Sequence, residues 1–450
     1  MAGPSTYFDP ADTDELAPRT AELVRRRAAA MGPAYRLFYR EPLELVRGEG
    51  AYVWDRAGVE YLDVYNNVPS VGHAHPRVVA AIAEQAARLN THTRYLDEAT
   101  IAYAEDLLGT FPGSLEHVMF TCSGSEANDL ALRIAKAATG GGGVIVTRNA
   151  YHGGTTEVAA ISPSLGGVDS LAPWTRVAHA PGGGADLHAA VASAIADLEL
   201  VGIRPAALIV DTIFASDGVF PDAAGLSLAV AAIRAAGGLF IADEVQAGFG
   251  RLGGGSAGAG PAGGDDAGAA GQNGADLGLW GFARYGLEPD IVTLGKPMGN
   301  GHPVAAVVAR RAPIEAFAAR GRYFNTFGGN PVSIAAAQAT LDVVREERFV
   351  EHARAIGPRL RRALEQIDSP RIGEVRGQGL FLGVDLVDDA GRPDEALAIE
   401  VVNALRQRRI LLAASGPGNN TLKIRPPLVF NDTDASRLVG ELDAVLKELS

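Results

Sequence analysis

Runs of consecutive apolar residues constrain this chain more than any other feature. Val144–Thr147, Ala207–Asp211, Leu239–Asp243, Ile291–Leu294 and Val304–Val308 are apolar on successive residues, and Val118–Thr121 is similar. Strands of that kind need cover on both faces, so they predict an α/β fold: a mostly parallel sheet enclosed by helices. Helical periodicity lies between them, as in Ala127, Leu130, Ala131, Ile134 and Ala135. Chemistry in such folds gathers at the strand C-termini and in the loops that follow. After about Val332 the pattern changes. Ile334, Ala337, Leu341 and Val344 open with helical spacing, Gly379–Leu386 reads as a strand, and Asp434–Leu449 closes the chain as a helix, together predicting a smaller α+β domain.

The strand ends carry the distinctive side chains. Ile291–Leu294 delivers Lys296 into the glycine-rich Gly295–Gly301 turn. Desolvation there lowers an ammonium's pKa toward a nucleophilic amine, as a Schiff-base lysine requires. A solvated or paired lysine fits that segment equally well on its own. Leu239–Asp243 ends in Asp243, followed by Glu244, Val245 and Gln246. Pyridoxal phosphate needs a carboxylate beside its ring nitrogen to keep the pyridinium protonated, and Asp243 suits that position. Alternation turns Glu244 away and brings Val245 back, while Gln246 can reach the ring's phenolic oxygen. The alternative is an acid that caps the next turn. Ser123-Gly124-Ser125 runs from a strand into a helix N-terminus, where Gly124 and Ser125 would cradle a phosphate or Ser123 would simply cap the helix. Tyr151, after Val144–Thr147, can stack on a ring, and His152 borders it.

Taken together, these segments resemble the class III aminotransferases of fold type I, over about Leu37 to the C-terminus. The resemblance is closest to the branch of ethanolamine-phosphate phospho-lyases and alanine-glyoxylate aminotransferase 2-like proteins, through Asn66-Asn67-Val68, Gly72-His73, Asn90–Tyr95, Gly295–Pro303 and Leu411–Pro417. It implies a large domain with a mostly parallel seven-stranded sheet and a smaller α+β domain. Residues 1–75 would contribute to the small domain and active site, 76–331 would form the large domain, and 332–450 the small one. Lys296 would bond covalently to pyridoxal 5'-phosphate, with Asp243 at the ring nitrogen and Gln246 at the phenolic oxygen. Gly124 and Ser125 would hold the phosphate, with Tyr151, His152 and Val245 around the ring. Thr326, in Asn325-Thr326-Phe327-Gly328-Gly329, would reach the phosphate of a neighbouring subunit, which implies a homodimer with shared sites or a tetramer built from it.

Composition sets the outer bounds. With 450 residues, 47% of them hydrophobic, the chain can bury a large core. A net charge of -13 opposes binding to nucleic acid and to anionic membranes. No leader-like or membrane-length apolar run is present, so a cytoplasmic protein is expected. Cys122 is the single cysteine, which excludes an intrachain disulfide and a cysteine metal cluster, and predicts a small packing group. His73 and His75 lack a third ligand at useful spacing and read as capping or packing groups, so no metal is expected. Residues 253–275, mostly Gly and Ala, read as an inserted loop, either a lid or a tolerated surface insertion. Gly248, Gly250 and Gly253 match a dinucleotide fingerprint, but a glycine-rich tract follows them where that motif requires a helix.

Substrate choice depends on cations. Arg425, before Pro426-Pro427, matches by resemblance an arginine that holds a substrate carboxylate, with a structural ion pair as the alternative. Asn66 is a second candidate for substrate binding. Many family members carry Glu-Pro-Val-Gln-Gly-Glu where this chain has Asp211–Ser216. The last glutamate of that motif masks the arginine, and Ser216 cannot, so Arg425 is expected to stay open to an anion. The expected substrate is an anionic amine or amino acid. Transamination to a keto acid or aldehyde is the first expectation, and elimination of phosphate from an amino-alcohol phosphate is its rival.

Overall fold

The computed structural model describes residues 7–182, 185–221, 225–254 and 276–449. All but the first two residues of the expected 253–275 insertion lie outside them. An antiparallel meander of β1 (Leu45–Glu49), β2 (Tyr52–Asp55) and β3 (Glu60–Asp63) comes first. The central sheet then assembles from β4 (His117–Thr121), β5 (Gly143–Thr147), β6 (Thr175–Ala178), β7 (Pro205–Asp211), β8 (Leu239–Asp243), β9 (Ile291–Leu294) and β10 (Ala305–Ala309). Its seven strands lie in the order β4-β10-β9-β8-β7-β5-β6. The pairs from β9 through β6 are parallel, and β10 runs antiparallel to both neighbours. This is the fold-type-I architecture, with β10 as the reversed strand. Every residue of β5, β9 and β10 is buried, the reason those segments carry no polar alternation.

β10 begins one residue later than its apolar run, and β6 has no counterpart among the apolar runs because Thr175 and Arg176 interrupt it. The Gly124–Thr139 helix covers one face, burying Ala127, Leu130, Ala131, Ile134 and Ala135 as their spacing predicts. Chain order reverses between β5 and β7, so the loops at that end of the sheet diverge and leave a crevice.

The Pro331–Glu346 helix, capped by Asn330, leads into the C-terminal region. There β11 (Ile372–Gln378), β12 (Phe381–Leu386), β13 (Ile410–Leu411), β14 (Ala413–Ser415) and β15 (Thr421–Ile424) follow. β11, β12, β15 and β14 form an antiparallel sheet, while β13 pairs in parallel with β3 and ties the N-terminal meander to the C-terminal region. The backbone of Arg425, just past β15, donates to Val64 O at 2.9 Å, which joins the segment after β3 to the segment after β15. Among the described residues no helix is long and apolar enough to cross a membrane.

Candidate active site

Lys296 leaves β9 through Gly295 and adopts φ 22° in the short turn Lys296–Gly299. A non-glycine residue in that region is strained, and such strain persists only where packing fixes it. The packing is visible at Gly295, where a Cβ would stand 3.2 Å from the Gly124 backbone. Burial lowers the Lys296 amine from its ordinary value, and the Arg425 charge lowers it further, against the opposing pull of Asp243 and Asp211. That direction favours the free amine over the ammonium relative to a solvated lysine.

Asp243 ends β8 and is paired across the ladder with Asp211 on β7 and Thr293 on β9. Its Oδ2 accepts from Asn128 Nδ2 at 2.9 Å and lies 2.7 Å from His152 Nδ1, while Oδ1 accepts from the Val245 amide at 3.1 Å. Thr293 Oγ1 in turn donates to Asn128 Oδ1 at 2.6 Å. The carboxylate is thereby fixed in direction, and His152 Nε2 is buried without a partner. Asp211 is raised to about 6, first by burial and then by the charge of Asp243. Glu244 points the other way, as alternation predicts. It accepts from Thr212 Oγ1 at 2.7 Å and from the Gly281 and Phe282 amides at 2.8 Å, bracing the loop that holds Trp280.

The helix opening at Gly124 uses Ser123 as its cap, since Ser123 Oγ accepts from the Glu126 amide at 3.2 Å. Both sequence readings therefore apply to different residues: Ser123 caps, and Gly124 and Ser125 occupy the first turn, whose amides lack intrahelical acceptors. A Cβ on Gly124 would lie 2.9 Å from Val245 Cγ1, and one on Gly153 would lie 2.4 Å from Ser125 Oγ. Both glycines are needed for close approach.

A cavity of about 320 Å³ lies among these groups. Gly124, Ser125, Tyr151, His152, Asp243, Val245, Gln246 and Lys296 all line it, so eight sequence-predicted residues from four separate segments converge. Three others stand apart. Thr326 is exposed on the loop before Gly328 and lies outside the cavity wall. The Asn66 amide is occupied by Asp63 Oδ2 at 2.9 Å. Arg425 lies behind Gln246, its Nη1 donating to Gln246 Oε1 and, at 3.1 Å, to Asn67 Oδ1, with Tyr65 stacked on the guanidinium at 4.3 Å. No carboxylate lies within ion-pair distance of Arg425 among the described residues, so its structural partners are neutral amides. His73 and His75 pair with Asp63 at 2.7 Å and Glu347 at 3.2 Å.

Sequence reasoning misses four residues. Asn128 is hidden on an apolar helix face, where a lone polar residue is the available signal. Asp211 lines the cavity but stands out in the sequence only as a departure from a motif. Cys122 is half-buried in the cavity wall and does not pack in the core. Lys423 is buried on β15, with burial and the Arg425 charge lowering it to about 7. Its β-strand neighbours are all apolar or small, and a lysine among them is the clue.

The donor set fits pyridoxal phosphate: a helix N-terminus for phosphate, a fixed carboxylate for the ring nitrogen, and a desolvated amine beside it. Fold and site together define a pyridoxal-phosphate-dependent enzyme of fold type I. The chain belongs to the class III aminotransferase family, whose profile, aminotransferase class-III, matches residues 38–259 and 269–446. The break in that match falls inside the glycine-rich tract. An alanine–glyoxylate aminotransferase 2-like protein of Drosophila melanogaster is 38% identical over 95% of this chain and 88% of its own length. An ethanolamine-phosphate phospho-lyase homologue of Caenorhabditis elegans is 37% identical over 94% and 93%. Among solved structures, a phospholyase from Arthrobacter in complex with phosphoethanolamine has a TM-score of 0.87 and 41% identity, covering 95% of this chain and all of its own. The ornithine aminotransferase of Toxoplasma gondii has a TM-score of 0.79 at 25% identity, covering 98% of this chain and 97% of that one.

Proposed function

We propose that this enzyme is a phospho-lyase acting on a small amino-alcohol phosphate such as phosphoethanolamine, releasing an aldehyde, ammonia and inorganic phosphate. The observation that carries the reading is the pair of buried basic side chains, Lys423 and Arg425, the second bonded to the cavity-lining Gln246 and both within electrostatic reach of Lys296, with no carboxylate within ion-pair distance of either among the described residues. Burying such charges is costly unless an anion completes them. Ser216, where many family members carry a masking glutamate, would leave Arg425 open to that anion. The likeness to an Arthrobacter phospholyase at 41% identity supports the same reading.

Bound pyridoxal phosphate supplies an electron sink for the carbon that bears the substrate nitrogen. Lys296 would hold the cofactor covalently before substrate arrives, then as a free amine take the proton from that carbon. Asp243, fixed by Asn128 and His152, would keep the ring nitrogen protonated. Gly124 and Ser125 would hold the cofactor phosphate, Tyr151 and Val245 would bracket the ring, and Gln246 would meet its oxygen. The electron pair left on that carbon would expel phosphate from the adjacent carbon as the C–O bond breaks, and one water would complete release of aldehyde and ammonia. The working unit would be a homodimer in which Thr326 serves the cofactor phosphate of the partner. Exposed Phe324 and Phe327, on either side of Thr326 in the chain, support that assignment.

Transamination is the second reading, favoured by the planar guanidinium of Arg425, which matches a carboxylate better than a lysine does. Incubation with phosphoethanolamine and no keto acid separates the two. Stoichiometric inorganic phosphate and ammonia, both lost in Lys296→Ala, are expected. Absence of phosphate release, with an amine donor instead converting the cofactor to pyridoxamine phosphate, would overturn the lyase reading.

A further inference from the structure

Gln246 and Arg425 share a hydrogen bond whose direction is fixed by chemistry. A guanidinium only donates, so the side of the Gln246 amide that meets Arg425 Nη1 must be its oxygen. Rotating the amide would set N–H against N–H. The Gln246 nitrogen is thereby turned the other way, into the cavity wall, where Asp211 Oδ2 lies 3.5 Å away. That contact is long and engages one N–H, and an amide nitrogen carries two, so the Gln246 N–H₂ retains a donor for the cavity. Arg425 itself is held on two more sides, by Asn67 Oδ1 at 3.1 Å and by the Tyr65 ring at 4.3 Å. Its Nε is buried without a partner, and its Nη2 makes no hydrogen bond among the described residues. Asn67 Nδ2, next to it, is likewise buried and unpartnered.

We infer that Arg425 is a positioning residue for Gln246: it ties up the amide oxygen, so that Gln246 offers only N–H to the ring oxygen of the cofactor. An anion taken up by the remaining donors, Arg425 Nη2 and Nε with Asn67 Nδ2, is then sensed at the cofactor through one shared guanidinium. The second statement rests on the anionic substrate proposed above; the first does not. The other charged groups around the amide are Asp211, Asp243, Lys296 and Lys423, and none of them supplies a donor to the Gln246 oxygen among the described residues.

The test uses the cofactor-loaded enzyme without substrate and reads the pH midpoint of its visible absorbance. A hydrogen bond to the ring oxygen draws off negative charge that otherwise favours the protonated form of the adjacent cofactor nitrogen. Losing the bond raises the midpoint, by about one pH unit for one neutral hydrogen bond. Gln246→Leu and Arg425→Met should each raise it by that amount, and the double variant should rise no further than Gln246→Leu. Arg425→Lys keeps a head that only donates and should restore most of the parent midpoint. If Arg425→Met does not fold, Arg425→Gln removes the obligatory donor and is read with the same upward expectation. An unmoved midpoint in the Arg425 variants, or shifts that add in the double variant, would overturn the positioning role. The KM for phosphoethanolamine is followed in parallel. A raised KM with an unmoved midpoint rejects positioning and leaves anion binding standing, whereas a raised midpoint with an unchanged KM keeps positioning and removes Arg425 from the anion site.

Discussion

Single side chains here are set by burial more than by partners. Lys296, Lys423 and Asp211 all shift in the direction that desolvation dictates, toward the neutral form. For Lys296 that is the direction its proposed role as a base requires. For Lys423, brought down to about 7, it means that the charge is held only weakly at neutral pH. Lys423→Met keeps the length and removes the ammonium. On the lyase reading this substitution should raise the KM for phosphoethanolamine by roughly 10–100-fold, the scale of one hydrogen bond to a charged group, and leave cofactor affinity within about twofold. Steady-state kinetics with titration of the apoenzyme by pyridoxal phosphate checks both. An unchanged KM would place Lys423 in the scaffold alone.

At the level of elements, the strand ends were the legible part. β8 and β9 have the limits that their apolar runs predict, and Asp243 and Lys296 are found where those strands deliver them. β7 starts two residues before its expected limit because Pro205, which lacks an N–H, can still open a strand beside Gly143. The last helix starts at Asp432, not Asp434: Asn431 caps it and Asp434 closes the capping box, so an acid that looks like a start is the third residue in. Illegible features were those created only by folding. The Asn128–Asp243–His152 network joins a helix, a strand and a loop, and no local spacing encodes it. The contact of the Gly124 turn with Val245 is another case, and it gives a test. Gly124→Ala places a methyl 2.9 Å from Val245 Cγ1, at the junction of the proposed phosphate cradle and the proposed ring wall. Cofactor affinity should fall by at least about tenfold, with a thermal midpoint of the apoenzyme that drops modestly, since overpacking costs about 1–3 kcal/mol. Val245→Ala in the same chain should recover much of the affinity by returning the space. Fluorescence titration of both variants measures it, and a loss that Val245→Ala leaves untouched would show that the methyl acts elsewhere.

For the whole molecule, the same buried acids that build the site make stability depend on pH. Glu244 joins β8 to Thr212 and to the Gly281–Phe282 segment, beneath Trp280 stacked on Phe111 at 4.3 Å. Burial raises it from 4.5 to about 7, even though the Gly281 and Phe282 amides and Thr212 pull the other way. A carboxyl that holds its proton more tightly when folded stabilises the native state fully below its unfolded value. That contribution declines as pH rises through the folded one. The window is therefore 4.5 to about 7, and the stabilisation lost across it is about 3 kcal/mol at most, since a tenfold difference in proton affinity corresponds to about 1.4 kcal/mol. Other acids stabilise the chain over part of that range, so the informative quantity is a difference. Glu244→Gln cannot ionise. At pH 4.5 it should be less stable than the parent, because an amide cannot accept from Gly281, Phe282 and Thr212 as a carboxyl does. By pH 7 the gap should narrow or reverse, because only the parent then holds a charge in the core. Chemical denaturation of the apoenzyme at several pH values measures that gap. A gap that stays constant from pH 4.5 to 7 would mean that Glu244 is already ionised in the folded protein and is held there by its three donors. In that case the link from β8 to the Trp280 loop would be a charged clamp throughout, and any decline of stability as pH rises toward 6 would come from Asp211 instead.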